Sequence, residues 1–99
     1  MAKRIFSYEQ AVALLPEVER LTREAVAHVE SAVSADAAVY ERIVTDWARA
    51  VMDLGLEVKG LWLVDFDSGG GYYCWQYPEP ALEYFHGYEE GFGGRVKLN

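Results

Sequence analysis

The sequence predicts an α+β domain: a kinked N-terminal helix and helical hairpin packed on a small antiparallel β-sheet of about three or four strands. Three observations carry this. All nine glycines lie between Gly55 and Gly94. Ten of the fourteen aromatic residues lie between Trp62 and Phe92. Apolar residues recur at helical spacing before Gly55, and Leu56-Glu57-Val58-Lys59 just after it alternates as a strand does. Glycine is costly inside helices and aromatics favour strands, so the two halves want different secondary structure. The chain reads as one domain over 1–99, with the helical hairpin at 7–54 and the sheet with a C-terminal loop at 56–99.

The first helix opens on Ser7-Tyr8-Glu9-Gln10, the pattern of a capping box, with Phe6 and Ala11 at the flanking staple positions. Ala11, Leu14, Val18, Leu21, Ala25, Val29 and Ala32 share one stripe at 100° per residue. Pro16 lies opposite and leaves the phase intact, which predicts a kink and not a break. His28, at the stripe's edge, has no acidic or histidine partner one turn away and reads as a partly exposed helix residue. The second stripe holds Val39, Tyr40, Ile43, Trp47, Ala50, Val51 and Leu54, with Gly55 at the C-terminal cap. The two stripes are nearly in phase, so periodicity alone also permits one continuous helix. A helix of ~20 residues already spans a small domain, which favours a turn within 31–36 and a new cap at Ser34 or Asp36.

Leu56-Glu57-Val58-Lys59 alternates as a strand, and Leu61 to Phe66 follows Gly60 as a second strand or a bulged continuation. Asp67-Ser68-Gly69-Gly70-Gly71 is a turn, and Tyr72 to Tyr77 returns as the antiparallel partner. Pairing Phe66 with Tyr72 sets Val64 opposite Cys74 and Asp65 opposite Tyr73. Both faces of this hairpin are then apolar or aromatic, so both are expected to be covered, one by the helices and one by the C-terminal segment or another subunit. Pro78-Glu79-Pro80 is a turn, Leu82 to His86 a third strand, and Gly87 to Arg95 a loop anchored by its aromatics.

Composition narrows the function. With 52% hydrophobic residues the 99-residue chain can bury a core. Nine basic against sixteen acidic residues, a net charge of −7, argue against nucleic-acid binding. No apolar run reaches the ~20 residues of a membrane span, and the start of the chain lacks a signal-peptide pattern. The single cysteine fits a reducing, cytoplasmic setting. Between Lys59 and Arg95 the chain carries six acids and no base.

Lys59, Leu63-Val64-Asp65-Phe66, Cys74-Trp75, Glu79-Pro80, His86, Gly91-Phe92 and Arg95, in this order and with Phe6-Ser7 and Leu15-Pro16 upstream, resemble the bacterial DUF2203 family. The chain departs from that pattern at Trp62 and Pro78, where glycine is usual, at Phe85, where tryptophan is usual, and at Gly87, where an acid is usual. The last departure weakens a carboxylate role at that position. The resemblance implies a fold and candidate residues, but no reaction.

Cys74, Glu79, His86 and Asp65 form the candidate metal or small-ligand set. Thiolate, imidazole and carboxylate suit a transition metal such as Zn or Fe, and the acidic segment would favour a cation. The spacing matches no zinc motif. Each residue also has a structural use: Cys74 as a small buried hydrophobe, Glu79 as a turn cap, His86 as a donor to a carbonyl. Cys74 with His86 could instead act as nucleophile and base in a cysteine-dependent enzyme, though nothing marks an oxyanion hole. Lys59 and Arg95 are anion contacts or ion-pair partners of Glu79, Glu83, Glu89 or Glu90. Gly91-Phe92-Gly93-Gly94 lacks the lysine and helix of a phosphate loop. The aromatic and acidic residues also permit a cage for an organic cation, which no spacing supports specifically. The in-phase stripes and two-faced hairpin favour a self-associating interaction module, a homodimer or higher homo-oligomer.

Overall fold

The computed structural model describes residues 4–32 and 36–98. Helix α1 spans Tyr8–Ser31 and α2 spans Ala37–Asp53. Five strands follow: β1 Glu57–Gly60, β2 Leu63–Asp67, β3 Tyr72–Gln76, β4 Tyr84–His86 and β5 Val96–Lys97. They form one antiparallel sheet in chain order. The α+β class is as expected, with one strand more than anticipated. The extra strand, β5, is two residues long, too short to show alternation.

The α1 capping box forms as read. Ser7 Oγ accepts from the Gln10 N–H at 3.1 Å, and Gln10 Oε1 accepts from the Ser7 N–H at 2.9 Å. The helix runs through Pro16 without a break. Two separate helices replace the alternative of a single long one. Ala32 closes α1, and the Asp36 side chain caps α2 by accepting from the Val39 N–H at 3.1 Å. Ser34, the other expected cap, lies outside the described residues.

Helix α1 buries Ala11, Leu15, Val18, Thr22 and Ala25, a stripe rotated slightly from the expected one, with Leu14 and Leu21 at its flank. The rotation reflects two neighbours, α2 and the sheet, which together bury a wider arc. Thr22 tolerates full burial because its hydroxyl donates to the Val18 carbonyl at 2.8 Å and accepts from Trp47 Nε1 at 2.8 Å. Trp47 and Val51 carry α2 into the core, where Val64, Phe66 and Trp75 supply the sheet's side. His28 is exposed, as expected. Among the described residues no helix is long and apolar enough to cross a membrane.

The sheet corrects the hairpin register by one residue. Phe66 pairs with Tyr73, not Tyr72, and Asp65 stands opposite Cys74, not Tyr73. The cause is a shorter loop. Asp67 stays in β2, where its carbonyl accepts from the Phe6 N–H at 2.7 Å. The connection is then closed over four residues by Ser68 N–H and Oγ–H, both donating to the Gly71 carbonyl, and by Gly69 N–H donating to Asp67 Oδ1. A one-residue slip exchanges faces along a strand. Val64, Phe66, Tyr73 and Trp75 now face the helices together. Asp65, Asp67, Tyr72 and Cys74 share the other face.

A second departure is at the β1–β2 connection, where β2 begins at Leu63 and not Leu61. Trp62 has φ +59°, which breaks the extended run. Its ring is held edge-on against Trp47 at 4.9 Å between centroids. The segment after β4 covers the sheet's outer face, as the two-faced hairpin required. Tyr88 packs on Tyr72 at 5.1 Å, and Phe92 begins a short 3₁₀ turn, Phe92–Gly94.

Candidate metal centre

Three adjacent strands converge on the outer face. Asp65 comes from the middle of β2, Cys74 from the middle of β3 directly opposite it, and His86 from the end of β4. Their ligand atoms, one from each residue, lie within 4.8 Å of one another, and all three side chains are buried. Asp65 is 0% exposed, Cys74 1% and His86 4%. The corrected register makes this cluster, because the expected one would put Asp65 on the opposite face from Cys74.

The hydrogen bonds of His86 fix its tautomer. Nδ1 lies 2.9 Å from the Gly87 carbonyl, which can only accept, so Nδ1 carries a proton. Nε2 then faces Asp65 Oδ2 at 3.0 Å. Two lone pairs do not sit at that distance, so a proton or a cation must lie between them. A metal-ligating histidine is commonly oriented this way, with its outer nitrogen tied to a carbonyl. The other carboxylate oxygen, Asp65 Oδ1, is buried and makes no hydrogen bond among the described residues. Leaving such an oxygen without a proper donor is costly.

Burial pushes the Cys74 thiol up to about 12, helped by the neighbouring Asp65 carboxylate. Arg95, whose Nη1 is 3.9 Å from the sulfur, offsets this only in part. The thiol is therefore neutral at physiological pH and a poor free nucleophile.

Two cations border the cluster. Lys59 Nζ is 3.3 Å from Asp65 Oδ2 and 3.6 Å from Glu57, and lies 4.0 Å above the Tyr72 ring. Partial burial works against its charge, but Asp65, Tyr72 and Glu57 outweigh this and raise its pKa. Arg95 pairs with Glu79, Nη2 to Oε2 at 2.9 Å and Nη1 to Oε1 at 3.1 Å, between the rings of Tyr84 and Phe92. Glu79 therefore stands outside the cluster. Its Oε1 also accepts from the Gln76 N–H at 2.9 Å, which holds the turn after β3. Of the ion-pair partners considered for these cations, Glu79 takes Arg95, whereas Lys59 takes Asp65 and Glu57.

A pocket of about 250 Å³ opens onto the cluster, lined by Lys59, Leu63, Asp65, Cys74, His86, Glu90, Gly91 and Phe92. Sequence reading missed Leu63, Glu90 and the Gly87 carbonyl. Glu90 had a signal, as an acid four residues after His86 on a loop rich in glycine. The Gly87 carbonyl had none.

A family model described as "Uncharacterized conserved protein (DUF2203)" matches residues 34–98. That range holds all five strands and every residue of the cluster. The chain belongs to this family. No curated protein and no solved structure matches it. The DUF2203 match includes the words quoted above from Lys59 to Arg95, and leaves Phe6-Ser7 and Leu15-Pro16 outside. Trp62, where the resemblance led us to expect glycine, occupies the left-handed position between β1 and β2. That conformation costs a non-glycine residue roughly 1–2 kcal/mol, against which the contact with Trp47 works.

Proposed function

We propose that this protein binds a transition metal ion of the Zn or Fe class through Asp65, Cys74 and His86. The observation that carries the reading is the convergence of three buried ligand groups, Asp65, Cys74 and His86, with one ligand atom from each within 4.8 Å of the others. A cation there would replace the proton between His86 Nε2 and Asp65 Oδ2 and could also engage Asp65 Oδ1, which makes no hydrogen bond among the described residues. The ligand set is one thiolate, one imidazole and one carboxylate, a borderline-soft combination. Three protein ligands leave a four-coordinate ion one open position, as in sites that bind or process a ligand. The binding is expected in a reducing cytoplasm, where a lone thiol stays free of disulfides.

The test is a titration of untagged, metal-free protein with Co²⁺. A cobalt–thiolate charge-transfer absorption saturating at one ion per chain is expected. Cys74→Ala removes it and Glu79→Gln retains it. Absence of the band in the native chain overturns the reading.

A second reading is self-association, favoured by one row of residues. Tyr73 pairs with Phe85 and Phe85 with Val96, all on the helix-facing side. Tyr8 packs on Tyr73, and no apolar residue of β4 or β5 belongs to the hydrophobic core. Val96 is 60% exposed and Val12, one turn from Tyr8, is 43% exposed. A second copy seated on this row gives a homodimer, and light scattering that finds a strict monomer at tens of micromolar counts against it.

A further inference from the structure

The pocket above the cluster says what an ion there would meet. It is smaller than the roughly 300–1,000 Å³ that holds a drug-sized ligand. Its walls divide by character. Leu63, Gly91 and Phe92 are apolar or uncharged, and Lys59 is the one cation among the described residues that line it.

Lys59 has a particular relation to the metal ligands. Its ammonium lies 3.3 Å from Asp65 Oδ2, the same oxygen that His86 Nε2 faces. An ion held by Asp65 and His86 takes over that oxygen's electrons and repels the ammonium. Lys59 does not have to leave the rim, because the Tyr72 ring lies 4.0 Å beneath it and Glu57 is 3.6 Å away. It would be left as a partly exposed cation on the rim of the pocket. Glu90, the other charged residue lining the pocket besides Asp65, already accepts from the Gly87 N–H at 2.9 Å through Oε1.

From this we infer that the pocket takes a small organic carboxylate. One carboxylate oxygen completes the metal's coordination and the other accepts from Lys59. A short carbon chain packs against Leu63 and Phe92. The inference rests on the metal reading and names the ligand class of that site.

The experiment adds propionate to the Co²⁺-loaded protein and follows the visible cobalt bands. Saturable change at millimolar propionate is expected. Inorganic phosphate, an oxyanion with no apolar chain, should bind more weakly. In Lys59→Met the cobalt–thiolate band persists and propionate affinity falls by about tenfold or more, the worth of one charge-assisted hydrogen bond. Cobalt bands indifferent to propionate, or equal affinities in the native chain and Lys59→Met, overturn the inference while the metal reading stands. Phosphate binding as tightly as propionate overturns the carboxylate class. Loss of the thiolate band in the native chain overturns both readings.

Discussion

Cys74 shows how position decides what a thiol can do. On an exposed loop it would be a nucleophile near neutrality; here burial and the Asp65 carboxylate hold it protonated. Iodoacetamide at pH 7 should therefore modify the native metal-free chain at least about a hundredfold more slowly than a free thiol, and at the ordinary rate after denaturation. Fast native alkylation would restore the cysteine-enzyme reading. The same raised pKa gives metal binding a pH dependence. The thiol must lose its proton to ligate, so each ion bound releases one proton from Cys74 below about pH 12. Apparent Co²⁺ affinity should rise by at least about tenfold per pH unit between roughly pH 6 and 8, and more steeply where the proton between His86 and Asp65 is displaced as well, measured by competition with a chelator. A flat profile would mean that Cys74 is not a ligand. For stability the sign runs the other way. The folded thiol titrates near 12 against an ordinary 9.0, so its contribution is complete below about pH 9 and is lost as pH rises towards 12.

At the scale of elements, the glycine loop between β2 and β3 and the strand beyond it set the site's geometry. Gly71 has φ +154°, and a Cβ there would run into the Phe85 ring and come within 2.8 Å of the His86 carbonyl. Gly71→Ala should cost ~2–4 kcal/mol in urea unfolding and should also weaken Co²⁺ binding, because it pushes on β4 where His86 is carried. Unchanged metal affinity in a folded Gly71→Ala chain would separate loop strain from the site. The helices were legible in the residues because Ser7, Gln10 and Asp36 cap by local hydrogen bonds and because apolar spacing reports burial directly. Strands β1 to β4 were legible as strands, and the two-residue β5 was not. Their register was not, since apolar side chains on both faces of β2 and β3 satisfy alternation either way. Matching polar to polar, Asp65 with Cys74 and Asp67 with Tyr72, distinguishes the two registers. Cys74, His86 and Asp65 could be named from residue type alone, but Glu79 could not be separated from them. Its partner Arg95 is 16 residues away, and only the fold shows that the two are joined.

For the whole molecule, a metal at the cluster would join β2, β3 and β4, three strands of a sheet whose outer edge is only two residues long. Binding to the folded chain alone stabilises it by mass action, about 2.7 kcal/mol at a hundredfold excess over Kd. For a chain of this size that corresponds to a rise in Tm of roughly 10 °C or more. Zn²⁺ should produce this shift in the native chain and not in His86→Ala, read by calorimetry at fixed protein concentration. Equal shifts in both would place the ion elsewhere.

The Trp47–Trp62 contact has a use as an optical gauge. One indole rides on a helix and the other on the turn between two strands, edge to face at 4.9 Å. Two indoles so close and so steeply inclined couple their transitions, and their near-ultraviolet circular dichroism depends on that mutual pose. Undocking α2 from the sheet would extinguish the signal even if both elements kept their backbone structure. The molecule thus carries its own reporter of whether its two halves are joined, with no label attached.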